Sequence, residues 1–248
     1  MNNPFDLTGK TILVTGASSG IGRQSCISVS VAGAKVVGTG RSPTRLNETL
    51  ALLQGPDHSA IPSDLTDAGQ VAELARKLPP LDGIVNCAGV QRYLPLKFVT
   101  EKALREMMAP NFEAPVLLTQ VLWKLKLIKP GASIVMVASL AGIAAVKGNL
   151  AYSASKAALI GATRVMALEL GGQRVRVNCL APGMVKTAMA ENMVAAVSAE
   201  QMAEHEKLYP LGVGTPEDVA NAVVFLLSAA SRWITGQTLI MDGGFSCQ

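Results

Sequence analysis

Tyr152 and Lys156 stand four residues apart in Ala151-Tyr152-Ser153-Ala154-Ser155-Lys156. On a helix that spacing puts both side chains on one face, one turn apart. An ammonium beside a phenol favours the phenolate, so the tyrosine pKa is expected to fall toward the working pH. A tyrosine tuned that way can pass a proton to or from a carbonyl or alcohol oxygen. Taken alone, the pair is a weak signal, more simply read as a ring packed on a lysine stem. A second signal lies near the N-terminus, where Thr15-Gly16-Ala17-Ser18-Ser19-Gly20-Ile21-Gly22 follows the strand-like Thr11-Ile12-Leu13-Val14. A strand, a Gly/Ser loop and a helix start aim backbone N–H groups at a pyrophosphate, and the helix dipole adds attraction. Gly16 can take the tight turn, while Gly20 and Gly22 leave room for phosphate and for close helix–strand packing. The spacing is not G-x-G-x-x-G, and the alternative to a phosphate loop is a turn that is merely glycine-rich. Proton transfer beside a dinucleotide implies hydride transfer.

The elements that must position these groups alternate along the chain. Strands are expected at Thr11–Val14, Lys35–Thr39, Ser59–Pro62, Gly83–Asn86, Ser133–Ala138, Arg174–Leu180 and Thr238–Met241. Helices are expected from the glycine loop to Val31, at Thr44–Leu53 behind Ser42-Pro43, and at Thr66–Leu78. Others begin at Thr100 and stop before Lys129-Pro130-Gly131, carry Tyr152 and Lys156 to Leu170, and open at Thr215-Pro216-Glu217-Asp218. This order predicts a single α/β domain over 1–248, a Rossmann-type doubly wound parallel sheet of about seven strands. Ligands collect at the C-terminal ends of such strands. Ser139, Asp64, Asn86 and the glycine loop all fall there.

Thr15-Gly16-x-x-x-Gly20-x-Gly22 together with Ser139 and Tyr152-x-x-x-Lys156 resembles the short-chain dehydrogenase/reductase family of the classical type. The resemblance spans nearly the whole chain. It implies that Asp64-Leu65 contacts the adenine and that Ser18, Ser19 and Ile21 belong to the phosphate loop. Asn86-Cys87-Ala88-Gly89 resembles the family's Asn-Asn-Ala-Gly, with Cys87 in place of the second asparagine. Pro182-Gly183, Val185 and Thr187 match the segment that holds the nicotinamide amide. The resemblance also implies catalytic roles: Tyr152 as acid or base, Lys156 on the nicotinamide ribose, Ser139 on the substrate oxygen, and Asn111 holding a relay water. Transfer from the pro-S face follows from it. Pro110, just before Asn111, departs from expectation, because proline removes an N–H and can kink the helix. Residues 184–210 are expected to form a flap over the substrate, with Met184, Met189, Met193 and Met202 read either as an adaptable wall or as ordinary packing.

The second strand bears on which dinucleotide is used. An NAD site needs a carboxylate at its end for the ribose 2′-hydroxyl. Here that position is Gly40, followed by Arg41 and Ser42. Glycine makes room and arginine supplies a forked, permanent cation suited to a phosphate, so NADP(H) is expected. Arg23 adds positive field nearby.

The chain has 248 residues, 49% hydrophobic, with a formal net charge of +4. The basic residues are scattered, which argues against nucleic-acid or membrane patches. No apolar run is long enough for a bilayer. Cys26, Cys87, Cys179 and Cys247 form no staple or metal pattern, so reduced thiols and a cytoplasmic location are expected. His58 and His205 have no partner spacing for a metal. Ketone reduction is the expected activity. A 3-oxoacyl thioester reductase remains open, with Lys124, Lys126 and Lys129 as a docking patch for an acidic carrier, as do a sugar or polyol dehydrogenase and a dinucleotide-binding regulator without turnover. The family resemblance implies a homotetramer, and the apolar stretch Ala157–Leu170 is compatible with an interface.

Overall fold

The computed structural model describes residues 3–189 and 199–247. Seven parallel strands form one sheet in the order β3-β2-β1-β4-β5-β6-β7. They are β1 (Thr11–Thr15), β2 (Lys35–Gly40), β3 (Ser59–Pro62), β4 (Leu81–Asn86), β5 (Ile128–Val137), β6 (Arg176–Pro182) and β7 (Thr238–Met241). The central strands are near-continuous apolar runs because helices cover both faces. Alternation sorts them between two cores. Leu13, Ile84 and Ile134 pack toward Leu74, Leu118 and Leu159. Ile12, Val14, Val85 and Val135 pack toward Val29, Leu46 and Val223 on the other face.

The helices are α1 (Gly20–Val31), α2 (Pro43–Leu50), α3 (Ala68–Lys77), α4 (Glu101–Met108), α5 (Ala114–Lys124), α6 (Leu150–Leu170), α7 (Ala199–Glu206) and α8 (Pro216–Leu227). Their starts follow local chemistry. Ser42, Asp67 and Thr100 each accept a backbone N–H three residues on, and Thr215 and Asp218 form a reciprocal capping box behind Pro216.

Three expectations shift. The helix expected from Thr100 is split by a π-helical turn at Ala109–Glu113 between α4 and α5. Lys129-Pro130-Gly131 lies inside β5 rather than ahead of it. Gly131 there has φ +78°, and the β4–β5 register shifts between Leu81 and Gly83. The third concerns Lys124, Lys126 and Lys129. They sit at the end of α5 and the start of β5, and Lys129 pairs with Asp82 of β4 at 2.8 Å. That is the N-terminal end of the sheet. At about 3.3 Å per residue, β5 separates it from Ser139 by roughly 30 Å, so these lysines are no docking patch beside the expected site.

Candidate active site

The C-terminal ends of β1, β2, β3 and β4 border a cleft of about 570 Å³ that runs from Arg41 to Tyr152 and Lys156. Its floor is the glycine loop. Gly16 has φ +68° and Gly20 has φ +51°, a region that penalises side chains. A Cβ at Gly16 would meet the Ala88 backbone at 3.0 Å, and one at Gly22 would collide with the Gly16 carbonyl. Ser19 caps α1 with no side-chain bond, unlike Ser42, Asp67, Thr100 and Thr215. The first N–H groups of α1 therefore face the cleft without a side-chain acceptor from their cap, where an anion is favoured. Thr15 Oγ1 accepts from both Cys87 N and Ala88 N at 3.0 Å, which ties this loop to the segment after β4.

At the far end, Arg41, Asp64, Leu65 and Ser63 line the cleft. Ser63 Oγ is buried without a partner among the described residues. Asp64 Oδ1 accepts from Thr66 N and Thr66 Oγ1, and these bonds, with a smaller pull from Arg41, hold its carboxyl below the usual range. Arg45, which sequence reasoning missed, lines the same end one turn beyond Arg41. Among the described residues neither arginine forms an ion pair. Arg23 behaves otherwise: it pairs with Glu48 at 2.8 Å and donates to the Ser18 carbonyl at 2.9 Å, so it braces the loop. Together the glycine cradle, the uncapped helix start and the unpartnered Ser63 hydroxyl fit a dinucleotide.

Ser139, at the edge of β5, faces Tyr152 of α6, and Lys156 lies one turn further along that helix. Ser139 Oγ accepts from Ala141 N at 3.1 Å and stands near enough to the Tyr152 hydroxyl to favour its phenolate. Lys156 Nζ donates to the Val137 carbonyl at 2.9 Å and stands 5.7 Å from the Tyr152 ring centroid. Both side chains are buried. Burial pushes the Tyr152 hydroxyl up from its ordinary value, with Ser139 pulling the other way. The expected lowering of the tyrosine by its lysine is thus reversed in the free protein, because desolvation disfavours the phenolate. Burial also lowers the Lys156 ammonium to about 8, opposed by the Cys87 and Cys179 thiols.

Asn111 is not displaced by Pro110. Proline has no N–H and its ring clashes with the carbonyl four residues back; the wider π turn removes both conflicts. Asn111 is fully buried there. Its Oδ1 accepts from Val90 N at 2.8 Å, and its Nδ2 donates to Val90 O at 2.9 Å and to Ser155 Oγ at 3.1 Å. Both amide protons are used, so a water in a relay would have to use the Asn111 main-chain carbonyl. The ordinary helical donor to that carbonyl, four residues on, is Pro115, which has no N–H. A Cβ at Gly89 would meet Asn111 Oδ1 at 2.8 Å and Lys156 Nζ at 3.4 Å.

Not every expected contact residue faces the cleft. Asn86 is buried, with Nδ2 donating to Met136 Sδ at 3.3 Å and Oδ1 without a partner among the described residues. Ala88, Gly89 and Thr187 line the wall, whereas Pro182, Gly183 and Val185 are not among its lining residues. Thr187 lies over the glycine loop, with its Cγ2 3.3 Å from where a Gly20 Cβ would be. Met189 also lines the cleft. Residues 190–198 of the expected flap, Met193 included, lie outside the described residues, and α7 and Tyr209 form its far end.

A family model described as enoyl-(acyl carrier protein) reductase matches residues 16–246. The chain is 33% identical over 245 residues to the 3-oxoacyl-(acyl-carrier-protein) reductase FabG of Thermotoga maritima, covering 96% of this chain and 98% of that protein. It is 35% identical over 250 residues to the L-xylulose reductase of Caenorhabditis elegans, covering 98% of each. Among solved structures, a proposed NAD(P)-dependent gluconate 5-dehydrogenase of Beutenbergia cavernae, with NADP bound at low occupancy, superposes with a TM-score of 0.91 at 35% identity, over 99% of this chain and 100% of that one. With this sheet order, this cleft and relatives alike over their full lengths, the chain belongs to the short-chain dehydrogenase/reductase family of oxidoreductases.

Proposed function

We propose that the protein is an NADP(H)-dependent carbonyl reductase acting on a small ketone. One observation carries this reading. A buried tyrosine that keeps its proton at neutral pH stands beside Ser139, at the inner end of a cleft whose outer end holds two arginines without an ion pair among the described residues. A protonated phenol is the acid that ketone reduction requires. Tyr152 would donate its proton to the carbonyl oxygen while the Ser139 hydroxyl steadies the charge developing there. Lys156 would hold the ribose hydroxyls and favour the phenolate once the proton has left. Asn111 would hold the relay water through its main chain. The bound nicotinamide would supply the hydride. Gly16, Ser18, Ser19, Gly20, Ile21 and Gly22 would cradle the pyrophosphate, Asp64 and Leu65 the adenine, and Arg41 with Arg45 a 2′-phosphate.

Initial rates with NADPH and NADH test this. NADPH is expected to give the higher kcat/KM, and Arg41→Ala to weaken NADPH while leaving NADH nearly unchanged. Gly40→Asp should move preference toward NADH; a Cβ there has Ser18 Oγ at 3.4 Å, so it fits. A parent enzyme more efficient with NADH would overturn the reading of β2.

Likeness to the Thermotoga reductase supports a 3-oxoacyl thioester as the second reading, and likeness to the xylulose reductase supports a sugar or polyol. A homotetramer is supported by two separate apolar faces. Leu168 is 85% exposed on α6 beside Val165, and Trp233 and Leu211 are 94% and 87% exposed near the edge strand β7. Two different faces, each paired by a two-fold axis, give a tetramer. Four free cysteines support the cytoplasm as the compartment.

A further inference from the structure

Ser139 opens a single turn of 3-10 helix, Leu140–Gly142. The turn closes on itself. Ser139 Oγ accepts from Ala141 N at 3.1 Å, and the Ser139 carbonyl accepts from Gly142 N at 3.0 Å. The hydroxyl is therefore oriented by the turn it caps, and it moves with that turn. The sheet holds the near end, where Ala138 N donates to the Leu180 carbonyl of β6 at 2.8 Å.

The far end rests on α6 without any side chain of its own. A Cβ on Gly142 would stand 2.8 Å from Ala157 N and from the Lys156 carbonyl carbon, and 3.1 Å from the Lys156 carbonyl oxygen. All three are backbone atoms of one helix. The φ of Gly142 is not positive, so its backbone conformation does not call for glycine; the close approach does. Lys156 is thus gripped twice by one loop. Its Nζ donates to the carbonyl of Val137, ahead of Ser139, at 2.9 Å, and its main chain abuts Gly142, beyond Ser139. Tyr152 lies one turn back along the same helix. The loop bearing Ser139 and the helix bearing Tyr152 therefore meet backbone to backbone, with nothing flexible between them.

A methyl at position 142 would have to stand roughly 1 Å farther from α6 to reach ordinary contact. The helix is 21 residues long and its backbone is held in the hydrogen-bond ladder, so it does not give way. The turn is short and runs on into Ile143, which is 50% exposed, so the turn is what yields.

We propose that Gly142 is a positioning residue. Its missing side chain sets how deeply the Ser139 turn seats on α6, and this seating aims the Ser139 and Tyr152 hydroxyls at one substrate oxygen. The proposal rests on the carbonyl-reductase reading above and adds the residue that brings its two hydroxyls into register.

Gly142→Ala, Ser139→Ala and the double variant test it. NADPH oxidation is followed with whichever of L-erythrulose, 2,3-butanedione and acetoacetyl-coenzyme A the parent reduces fastest, and NADPH affinity is measured by fluorescence. Gly142→Ala should lower kcat by about ten- to a hundredfold, the cost of a group misplaced by roughly 1 Å. NADPH affinity should stay within about twofold, because Lys156 and the glycine loop keep their places. In the Ser139→Ala background the same methyl should cost less than about twofold, since the group it misplaces is already gone. An unchanged kcat in Gly142→Ala would overturn the proposal. So would a full further loss in the Ser139→Ala background, or a loss of NADPH affinity that matches the loss of kcat, because the methyl would then act through α6. If Gly142→Ala does not fold, Leu140→Ala loosens the same turn from its buried side. It should lower kcat by about fivefold or more only where Ser139 is present, and an equal loss without Ser139 would overturn the proposal. A Ser139→Ala enzyme as fast as the parent, or a parent that reduces none of the three probes, would overturn the carbonyl-reductase reading and this proposal with it.

Discussion

Lys156→Met separates the electrostatics of the site from its packing. The ammonium titrates near 8 in the folded protein against an ordinary 10.5, because it is buried. That gap corresponds to about 3 kcal/mol by which the folded state is disfavoured while both states are charged. The unfolded chain keeps the proton to near pH 10.5 and the folded chain releases it near pH 8. Between those values the unfolded chain binds more protons, so this group makes stability rise with pH. Methionine keeps the stem and removes the charge, and it also removes the bond from Nζ to the Val137 carbonyl. An acceptor left without its donor costs about 1–3 kcal/mol at any pH. At pH 7 the two effects oppose, so the variant should match the parent or exceed it by up to about 2 kcal/mol. Near pH 10 the unfolded chain still holds most of its proton, so about 1 kcal/mol of the penalty persists, and the variant should be the weaker by up to about 2 kcal/mol. Urea unfolding of both proteins without cofactor, followed by circular dichroism at the two pH values, measures the swing. A difference that does not change with pH would refute the view of Lys156 as a desolvated cation.

Tyr152→Phe should abolish turnover while cofactor still binds; residual activity above a few per cent of the parent would count against Tyr152 as the acid. Because burial raises the Tyr152 hydroxyl, its acid form persists through neutral pH, so ketone reduction should stay level there and fall only in alkali. Gly89→Ala places a methyl 2.8 Å from Asn111 Oδ1 and 3.4 Å from Lys156 Nζ. It should lower kcat by roughly tenfold or more, since small misplacements of catalytic groups are costly, and an unchanged kcat would show that the clasp on Val90 is dispensable. Leu168→Glu puts a charge on the most exposed face of α6 and should halve the mass found by light scattering; an unchanged mass would place the interface elsewhere.

The sheet was legible because each buried strand is written in its own residues. Ile12-Leu13-Val14 and Ile134-Val135-Met136 are apolar on both faces, as strands covered by helices on both sides must be, and turn residues mark their ends. The glycine loop was legible for a similar reason, since Gly16 and Gly22 stand where no side chain fits. Features set by three-dimensional surroundings were not. Spacing puts Lys156 one turn from Tyr152, but it says nothing of how deeply the pair lies, and depth decides which way the phenol shifts. Pro110 signalled trouble in a helix without showing that a π turn would absorb it; Pro115, a second proline five residues on, was the overlooked sign that ordinary helical bonding fails there. Arg45 was overlooked because the start of α2 was legible but not which of its side chains borders the cleft, which the packing of the helix decides. The lysines of α5 and β5 show the same limit. Their charge was plain, yet whether charge can serve a site depends on which end of the strand it occupies. Lys129 begins the strand whose far end carries Ser139, and its ammonium is matched with Asp82. A carrier held there would face the wrong end of the sheet, so a thioester substrate would have to find its cations at the C-terminal ends of the strands, where the cleft lies.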